Sequence, residues 1–356
     1  MSESHSGPEQ VSALYRTFER LISSTGPISL AHYFAESNAR YYSSRDPLGG
    51  AGDFVTAPEI SQMFGELIGL WLADIWTRAG QPLLVHYVEL GPGRGTLARD
   101  ALKAARRFGL QTRPHFVEAS EPLKALQAER HPDAVWHADL TTLPDDAPLL
   151  IVANEFLDAL PIRQLVRTAQ GWRERMVGLH EGRLAPVAGS KPMDAAVSAT
   201  FAEAPEGAIV ETSPASAAVM AEVASRLASQ GGAALFIDYG HARPRLGSTL
   251  QAVRAHQKVD PFAVPGDADL TAHVDFSAMA DVATANGARV LGTIEQGGWL
   301  KAMGIELRAQ ALSRAAPDQA DAIHIAANRL INPQEMGALF KVMGLVGTGW
   351  PEGAGF

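Results

Sequence analysis

The sequence predicts an α/β fold with a mostly parallel sheet. An apolar run at residues 83–90 leads into the glycine-rich turn Gly91-Pro-Gly-Arg-Gly95 and then into a helix-like stretch. A second apolar run ends at Glu118, and a later one, at residues 148–153, leads into Asn154-Glu155. Strands that alternate with helices form parallel sheets, which bind ligands at the carboxyl ends of their strands. The polar residues that follow each run are therefore candidates for a binding site.

The chain before the first of these strands is predicted to be helical. Three segments are expected to form helices, at residues 9–22, at residues 28–40 and from residue 60 to about residue 80. A glycine-rich loop at residues 49–56 interrupts them. We therefore predict an N-terminal helical region with a lid at residues 1–80 and a core at residues 81–356.

The glycine-rich turn indicates which ligand the first strand favours. Gly91, Gly93 and Gly95 permit positive φ and let a ligand approach the backbone closely. A dinucleotide site spaces its glycines G-x-G-x-x-G, whereas this turn has G-x-G-x-G and Pro92 removes one amide. Glu89 would repel a pyrophosphate but attract an ammonium group. The chemistry favours S-adenosylmethionine, which has an ammonium and no phosphate. An ordinary strand–helix turn is the alternative.

Two more acids follow the next predicted strands. Glu118 ends the second strand, where a carboxylate receives the ribose hydroxyls of an adenosine in doubly wound sheets. Read alone, Glu118 also fits a solvated strand end. Asp139 ends the third strand, and it would either accept a hydrogen bond from the adenine amino group or cap a turn. Both residues are candidate cofactor contacts.

Two later segments are predicted as inserts. Residues 162–184 alternate polar and apolar side chains and indicate an antiparallel meander, within an insert at about 162–210. The fifth strand is predicted at residues 233–241. Residues 243–275 are polar and interrupted by proline, which favours a long functional loop. Near the end of the chain, residues 333–346 are predicted to be helical.

Composition restricts the class of function. A chain of 356 residues allows one large domain with insertions or two domains. A net charge of −9 and a pI near 5.7 argue against broad nucleic-acid binding and suit a basic partner. Zero cysteines exclude disulfides and thiolate chemistry. No stretch approaches the roughly 18 apolar residues that span a bilayer, and the first residues lack an apolar signal core. We expect a bacterial cytoplasmic protein without membrane insertion.

Several motifs together resemble one known family. The segments are Gly52-Asp-Phe-Val-Thr-Ala-Pro-Glu59, Phe64-Gly-Glu66, Glu89-Leu-Gly-Pro-Gly-Arg-Gly-Thr96, Val117-Glu-Ala-Ser120, Ala153-Asn-Glu-Phe-Leu-Asp-Ala-Leu-Pro161, Asp238-Tyr-Gly240, Asp269-Leu-Thr-Ala-His-Val-Asp-Phe276 and Met336-Gly-Ala-Leu-Phe-Lys341. They resemble the MidA-like methyltransferases, the bacterial relatives of the mitochondrial protein arginine methyltransferase that assists complex I assembly. The resemblance extends from about residue 10 to residue 345.

The resemblance implies a Rossmann-like class I methyltransferase fold, in which a mostly parallel seven-strand sheet is joined by an N-terminal helical region and inserted segments. S-adenosylmethionine would be the methyl donor and S-adenosylhomocysteine the product, with no metal. The cofactor contacts would be Glu89, Gly91, Gly93, Gly95, Thr96, Glu118 and Asp139. Because the eukaryotic relative symmetrically dimethylates an arginine of a complex I subunit, the expected partner is a protein of that kind. A homodimer is also considered.

The candidate catalytic residues follow the fourth strand. A guanidinium is protonated at neutral pH, with a pKa above about 12, so an enzyme that methylates it must orient one nitrogen and accept a proton. Carboxylates bind guanidinium in a bidentate manner. The candidates are Glu155 first and Asp158 second, together with Asn154. The alternative is that Asn154 and Glu155 cap a following helix.

Five other residues are candidates for the lid or the acceptor side. Asp53, Thr56 and Glu59 lie on the glycine-rich approach to the long helix, where they would form a lid over donor and substrate. Tyr239 and His241, beyond the fifth strand, would line the acceptor side. For His241, a surface loop position is the alternative.

Three other functions remain open. Nucleic-acid amino-methyltransferases commonly follow the fourth strand with an Asn or Asp, two prolines and an aromatic residue, whereas Asn154-Glu155-Phe156-Leu157 lacks the prolines. The acidic charge also disfavours that function. A small-molecule methyltransferase is the second alternative. A non-catalytic assembly chaperone that retains the fold is the third alternative.

Overall fold

The computed structural model describes residues 12–44 and 56–356. Its α-helices are α1 (Ala13–Thr25), α2 (Leu30–Ser44), α3 (Ala57–Ile60), α4 (Gln62–Arg78), α5 (Thr96–Arg106), α6 (Glu121–Arg130), α7 (Pro214–Gln230), α8 (Phe276–Ala285), α9 (Gln296–Ala302), α10 (Ile305–Ala315), α11 (Ala320–Ile331) and α12 (Met336–Leu339). Among these helices, none combines the length and the apolar character that crossing a bilayer requires.

The strands form three sheets. They are β1 (Ile28–Ser29), β2 (His86–Leu90), β3 (Pro114–Val117), β4 (Val135–His137), β5 (Leu149–Asn154), β6 (Arg163–Thr168), β7 (Gly171–His180), β8 (Arg183–Pro192), β9 (Ile209–Thr212), β10 (Gly232–His241), β11 (Gln251–Arg254), β12 (Gln257–Val259), β13 (Asp269–Thr271), β14 (Val274–Asp275), β15 (Arg289–Glu295) and β16 (Phe340–Val346).

The largest sheet has the spatial order β4-β3-β2-β5-β10-β16-β15, and β14 adds a short parallel pairing to β10. The pairs from β4 to β10 are parallel, and β16 runs antiparallel to both β10 and β15. β5 is buried along its whole length because it lies in the centre of the sheet. The predicted mostly parallel seven-strand sheet is confirmed.

The described chain divides into two compact units. The larger unit contains the seven-strand sheet and consists of residues 56–158, Ala215–Arg245 and His273–Phe356. The smaller unit consists of residues 12–44, Ala159–Pro214 and Leu246–Ala272. This division differs from the predicted boundary at residue 80, because α3 and α4 belong to the unit that contains the sheet.

Helix α4 belongs to the larger unit because it packs closely against α5. Most of its residues are buried, among them Trp71, which donates a hydrogen bond from its indole nitrogen to the carbonyl oxygen of Ala354 at 3.1 Å. A Cβ added to Gly69 would lie 2.1 Å from the carbonyl oxygen of Ala101 in α5. The two helices therefore approach each other at a distance that only glycine allows.

The smaller unit contains two antiparallel sheets. One has the order β1-β7-β6-β9, with β8 paired to β7, as the alternating pattern at residues 162–184 predicted. The other has the order β12-β11-β13. Apolar side chains from α1, α2 and both sheets form the core of the smaller unit, including Phe18, Phe34, Val177 and Leu270.

Two predictions of secondary structure were wrong. The expected loop at residues 243–275 contains β11 to β14, and several of its side chains, including Ala252 and Leu270, are buried. Its hairpin turns at Ala255 and His256, which adopt φ of +49° and +61° without a glycine, so the usual turn signal is missing. Residues 340–346, expected to be helical, form β16 because they pair with strands on both sides.

Candidate functional site

The candidate site is built at the carboxyl edge of the large sheet. Parallel strands present their carboxyl ends at one edge, which is where open α/β sheets bind ligands. Strands β3, β2, β5 and β10 lie side by side in that order and run parallel to one another. The residues that follow β2, β3 and β5, and the last residues of β10, therefore share one side of the sheet.

The glycine-rich turn after β2 adopts the predicted backbone. Gly91, Gly93 and Gly95 have φ of +63°, +54° and +73°. A Cβ added to Gly91 would lie 2.8 Å from the ring of Phe156, and one added to Gly95 would lie 2.9 Å from the ring of His131. The turn that follows β2 therefore packs directly against the loop that follows β5.

Glu89 is a buried carboxyl group just before this turn. It is 2% exposed, and its Oε2 accepts a hydrogen bond of 2.6 Å from the hydroxyl of Tyr87. Burial raises the pKa of Glu89 to about 8, although the hydrogen bonds from Tyr87 and the backbone of Ala98 act in the opposite direction. A buried carboxyl group of this kind would gain from a cationic partner.

Glu118 follows β3 and is tied to the glycine-rich turn by a residue that the sequence analysis missed. Its carboxylate accepts hydrogen bonds from the backbone N–H of Ser120 at 2.8 Å and from Nε2 of Gln127 at 3.2 Å. The same Nε2 donates to the carbonyl oxygen of Gly93 at 2.7 Å. Burial raises the pKa of Glu118. A buried polar residue in α6, such as Gln127, gives no local signal for this role.

Asp139 lies at an exposed position after β4. Its Oδ1 accepts hydrogen bonds from the backbone N–H of Thr141 at 2.8 Å and from the hydroxyl of Thr141 at 2.5 Å. These bonds lower the pKa of Asp139. The capping role that the sequence left open is therefore present, and a contact with adenine stays a prediction.

The short helix α3 contacts both the turn after β2 and the loop after β5. Oε1 of Glu59 accepts a hydrogen bond of 2.5 Å from the hydroxyl of Thr96, the first residue of α5. The backbone N–H of Ala57 donates to Oε1 of Glu155 at 3.1 Å. Thr56 precedes α3 as its N-cap without a side-chain cap bond. Asp53, the remaining lid candidate, lies outside the described residues.

Glu155 follows β5 in an uncommon backbone conformation. Its φ is +51°, in the left-handed region that non-glycine residues rarely adopt. Oε1 also accepts a hydrogen bond of 3.1 Å from Nδ2 of Asn154, whose own Oδ1 is buried without a hydrogen-bond partner among the described residues. Burial, with repulsion from Asp158, raises the pKa of Glu155 to about 7.

The alternative role for Asn154 and Glu155, capping the helix that follows them, was wrong, because no described α-helix starts between them and α7. Glu155 instead accepts a hydrogen bond from the first residue of an earlier helix, Ala57 of α3. The loop continues instead to Asp158, which is 3% exposed. Asn154, Glu155 and Asp158 thus form a polar loop beside the glycine-rich turn.

Asp238, in β10, is a further buried acid at this edge, and it was not among the predicted site residues. It is 1% exposed, and its Oδ2 accepts backbone hydrogen bonds from Phe156, Leu157 and Asp158 at 3.1, 2.9 and 3.2 Å. Burial, then repulsion from Asp158 and Glu155, raises the pKa of Asp238. The motif Asp238-Tyr-Gly240 at the end of an apolar strand was the available signal.

Tyr239 and His241 lie at the end of the same strand. The ring of Tyr239 lies 4.8 Å from the ring of Phe340 in an edge arrangement. Nδ1 of His241 donates to the carbonyl oxygen of Arg243 at 2.7 Å and lies 3.8 Å from Oδ1 of Asp275. Both side chains are half-buried at the end of β10.

The residues at this edge fit S-adenosylmethionine. Glu89 supplies a buried carboxyl group for an ammonium, and the glycines of the adjacent turn adopt the positive φ that such a turn requires. Glu118 supplies a carboxylate at the position that receives ribose hydroxyls in related sheets. Within the described residues, no group of three or more His, Asp or Glu side chains is arranged to hold a metal ion.

Comparison with known proteins agrees with this fold. A family model described as "Putative S-adenosyl-L-methionine-dependent methyltransferase" matches residues 67–294. Two relatives named "Protein arginine methyltransferase NDUFAF7, mitochondrial", from Xenopus tropicalis and Danio rerio, are 36% and 38% identical to this chain. The alignments cover 97% and 92% of this chain and 88% and 85% of those relatives.

A crystal structure from Burkholderia thailandensis is also similar. That protein, described as a "likely methyl transferase", is bound to S-adenosyl-homocysteine and matches with a TM-score of 0.82 at 30% identity. The match covers 94% of this chain and 91% of the other. These similarities define the class as the S-adenosylmethionine-dependent methyltransferases. Within that class, the chain belongs to the MidA-like family, as its motifs predicted.

Proposed function

We propose that the protein methylates arginine on a protein substrate, with S-adenosylmethionine as donor. The observation that carries this proposal is Glu155, a carboxyl group on a left-handed residue whose loop packs against the glycine-rich turn. The names of the relatives support an arginine acceptor. A guanidinium is the cationic group that a pair of neighbouring carboxyl groups binds well.

The cofactor side of the proposed site uses residues from three strand ends. Glu89 would hold the ammonium, the turn from Gly91 to Gly95 would line the methionine portion, and Thr96 would lie beside it at the start of α5. Glu118 would receive the ribose hydroxyls, and Asp139 would receive the adenine amino group. When bound, the cofactor supplies an electrophilic methyl group.

The acceptor side is assigned to the loop after β5. The carboxylates of Glu155 and Asp158 would accept hydrogen bonds from the guanidinium N–H groups and orient one nitrogen. Glu155, with its pKa raised to about 7, would take the proton that this nitrogen loses on methylation. Asn154 would hold Glu155 in place through its 3.1 Å hydrogen bond.

The remaining candidates surround these two sides. Tyr239 and His241, at the end of β10, would line the acceptor. Thr56 and Glu59, with Asp53 before them, would form the lid, and the bond between Glu59 and Thr96 supports a position over the cofactor side. A complex I subunit is the proposed partner, because the family resemblance implies it.

The test is transfer of labelled methyl groups in an extract. The purified protein is incubated with isotope-labelled S-adenosylmethionine and an extract of cells that lack it, and the label is located. Label on arginine of one protein supports the proposal and identifies the substrate. Label in RNA or in a small molecule would overturn the acceptor. An absence of label, with cofactor binding confirmed separately, would favour the assembly-chaperone alternative.

The variant Glu155→Gln is expected to bind the cofactor normally and to lose methylation by about 100-fold or more, because an amide neither accepts the proton nor orients guanidinium well. Cofactor affinity is measured by calorimetry and methylation by label transfer. Glu222→Gln is the matched control, since Glu222 pairs with Arg226 on α7. Full activity in Glu155→Gln would move the catalytic role to another residue.

Two further proposals concern the state of the protein in the cell. We place it in the bacterial cytoplasm, whereas the relatives carry mitochondrial names. Cell fractionation tests this location. We also propose a homodimer, which analytical ultracentrifugation of the full chain tests, and a monomer across the concentration range would contradict it.

A further inference from the structure

Asp238 makes an unusual set of hydrogen bonds for a buried carboxyl group. One oxygen, Oδ2, accepts from three consecutive backbone N–H groups, those of Phe156, Leu157 and Asp158. The other oxygen, Oδ1, accepts from the backbone N–H of Tyr239 at 2.9 Å. Consecutive N–H groups that converge on one point form a concave anion site in the backbone. Here a side chain of the same protein occupies that concave site.

The three N–H groups belong to the loop that immediately follows Glu155. The backbone N–H of Glu155 itself donates to the carbonyl oxygen of Ile237 at 2.9 Å. Strand β10 therefore holds this loop through the backbone of Ile237 and through the side chain of the next residue, Asp238. The register agrees, because Ile237 is paired with Asn154, the last residue of β5. Ile237 and Asp238, which are neighbours in β10, therefore bind the backbone N–H groups of four consecutive residues, 155–158.

This fixation explains how Glu155 keeps its strained backbone. A left-handed conformation is unfavourable for a residue with a Cβ and persists only where its surroundings enforce it. Local sequence supplies no glycine at this position. The bonds from residues 155–158 to β10 supply the enforcement instead, and Phe156 in the same loop reaches the turn at Gly91.

We infer that Asp238 is a positioning residue, which fixes the loop at residues 155–158 and so holds the Glu155 carboxylate where it contacts Ala57 and Asn154. The inference rests on the proposed function, because Asp238 affects methylation through Glu155. Asp238 itself contacts backbone amides, and no catalytic role is assigned to it. An amide in its place cannot accept on both sides, because its NH₂ group would meet a backbone N–H.

The test uses Asp238→Asn, Glu155→Gln, their double variant and Asp238→Glu, all in the full chain. Asp194→Asn is the matched control, because Asp194 also accepts a backbone hydrogen bond, from Trp172 at 3.0 Å, but in the smaller unit. Calorimetry with S-adenosylhomocysteine is expected to give affinities within about threefold of the parent for Asp238→Asn. Hydrogen exchange at residues 156–158 is expected to accelerate by about tenfold or more.

Two readouts separate positioning from a general loss of structure. In carboxyl-labelled protein, the NMR signal that disappears in Glu155→Gln belongs to Glu155, and its titration midpoint is expected to shift in Asp238→Glu, which keeps the charge at residue 238 but displaces its oxygens, and not in Asp194→Asn. With a methyl acceptor, Asp238→Asn is expected to lower kcat by about tenfold or more with little change in KM, and to lower it by less than about twofold when Glu155 is already Gln.

An unchanged Glu155 titration together with unchanged exchange would overturn the inference, as would independent, multiplicative losses of kcat in the double variant. If no arginine methylation is found, the proposed function fails, but the exchange and titration results still decide whether Asp238 positions Glu155. If Asp238→Asn does not fold, the titration of Glu155 in Asp238→Glu still tests the inference.

Discussion

At Gly93, the backbone conformation itself is the testable feature. Its φ of +54° is accessible to glycine and strongly unfavourable for a β-branched residue. We expect Gly93→Val to weaken binding of S-adenosylhomocysteine by at least about 30-fold, or about 2 kcal/mol, as measured by calorimetry. Unchanged affinity would refute the assignment of the cofactor site.

A matched control separates backbone strain from loss of the site. Gly182 also has positive φ, at +74°, but no atom lies within 4 Å of a Cβ added there, and it lies in the turn between β7 and β8. Gly182→Val is expected to lower the melting temperature and to leave cofactor affinity unchanged. Equal loss of affinity in both variants would show that strain alone causes the effect.

The buried carboxyl group of Glu89 makes cofactor binding depend on pH. Its pKa is raised to about 8, so it is mostly protonated at neutral pH, and pairing with an ammonium requires that it lose the proton. Affinity is therefore expected to rise between about pH 6 and about pH 8, by up to about tenfold per pH unit. Calorimetry in buffers with different heats of ionisation measures both the affinity and the released proton.

The variant Glu89→Gln is the control for this dependence. It keeps the size of the side chain and removes its titration. Its affinity is expected to be lower than that of the parent at about pH 8 and nearly constant with pH. A parent protein without proton release on binding would contradict the assignment of Glu89 to the ammonium.

At the residue scale, the sequence predicted those features that depend on neighbours in the chain. Glu89 lies near the end of a recognisable apolar run, and Glu118 and Glu155 follow two others, so their place at the strand ends could be predicted. Asp238 could not be given its role, because the amides that it binds lie about 80 positions earlier in the chain. The hydrogen bond from the Thr96 hydroxyl to Glu59 could not be predicted either, because the two residues lie far apart in the chain.

Among the elements, α4 and α5 provide a prediction about packing. A Cβ on Gly69 would lie 2.1 Å from the carbonyl oxygen of Ala101, which is backbone and cannot move aside alone. Gly69→Ala is expected to reduce the free energy of unfolding by about 2 kcal/mol or more, despite the better helix propensity of alanine. Urea denaturation measures the change.

Gly298, in α9, is the matched control for this substitution. It also lies inside a helix, but no atom lies within 4 Å of an added Cβ. Gly298→Ala is expected to leave stability unchanged or to raise it by up to about 1 kcal/mol. If both substitutions behave alike, the close approach of α4 and α5 is wrong.

Prediction of elements succeeded where the periodic pattern and the burial agreed. The helix α4 and the strands β2 and β5 have strong local patterns. The prediction of a helix at residues 333–346 was wrong for β16, whose residues Phe340–Val346 are extended because they pair with β10 and β15. The hairpin of β11 and β12 was missed because its turn has alanine and histidine at positive φ.

For the whole molecule, a cluster of three histidines contains one, His115, that makes stability depend on pH. The three histidines lie across neighbouring strands, His86 in β2, His115 in β3 and His137 in β4, and Nδ1 of His115 lies 3.0 Å from Nε2 of His137. Burial, followed by repulsion from His86 and His137, lowers the pKa of His115 to about 4. The folded state therefore resists protonation of His115.

The direction of the pH effect follows from this lowered pKa. As the pH falls below about 6.5, His115 becomes protonated in the unfolded chain but not in the folded protein. Stability is therefore lost as the pH falls to about 4, and no further loss follows below it. We expect the free energy of unfolding to fall by up to about 3 kcal/mol over this range, relative to His115→Gln. Urea denaturation at several pH values measures the difference.

Acidic groups with raised pKa values act in the opposite direction. The folded state binds a proton on Glu89 and Glu155 more readily than the unfolded chain does, so their contribution is present at low pH and is lost as pH rises through about 8 and about 7. Only the comparison with His115→Gln isolates the histidine effect. Parallel pH curves for the two proteins would contradict it.

The order of segments along the chain also has a consequence for biosynthesis. The smaller unit combines residues 12–44 with segments that end only at Ala272, and the large sheet receives an interior strand, β16, from residues 340–346. During translation, α1 and α2 are synthesised long before the segments against which they pack. Strands β10 and β15 are likewise synthesised before β16, which pairs between them. A nascent chain released before residue 340 would therefore expose two unpaired strand edges, which makes early termination a route to aggregation rather than to a smaller working enzyme.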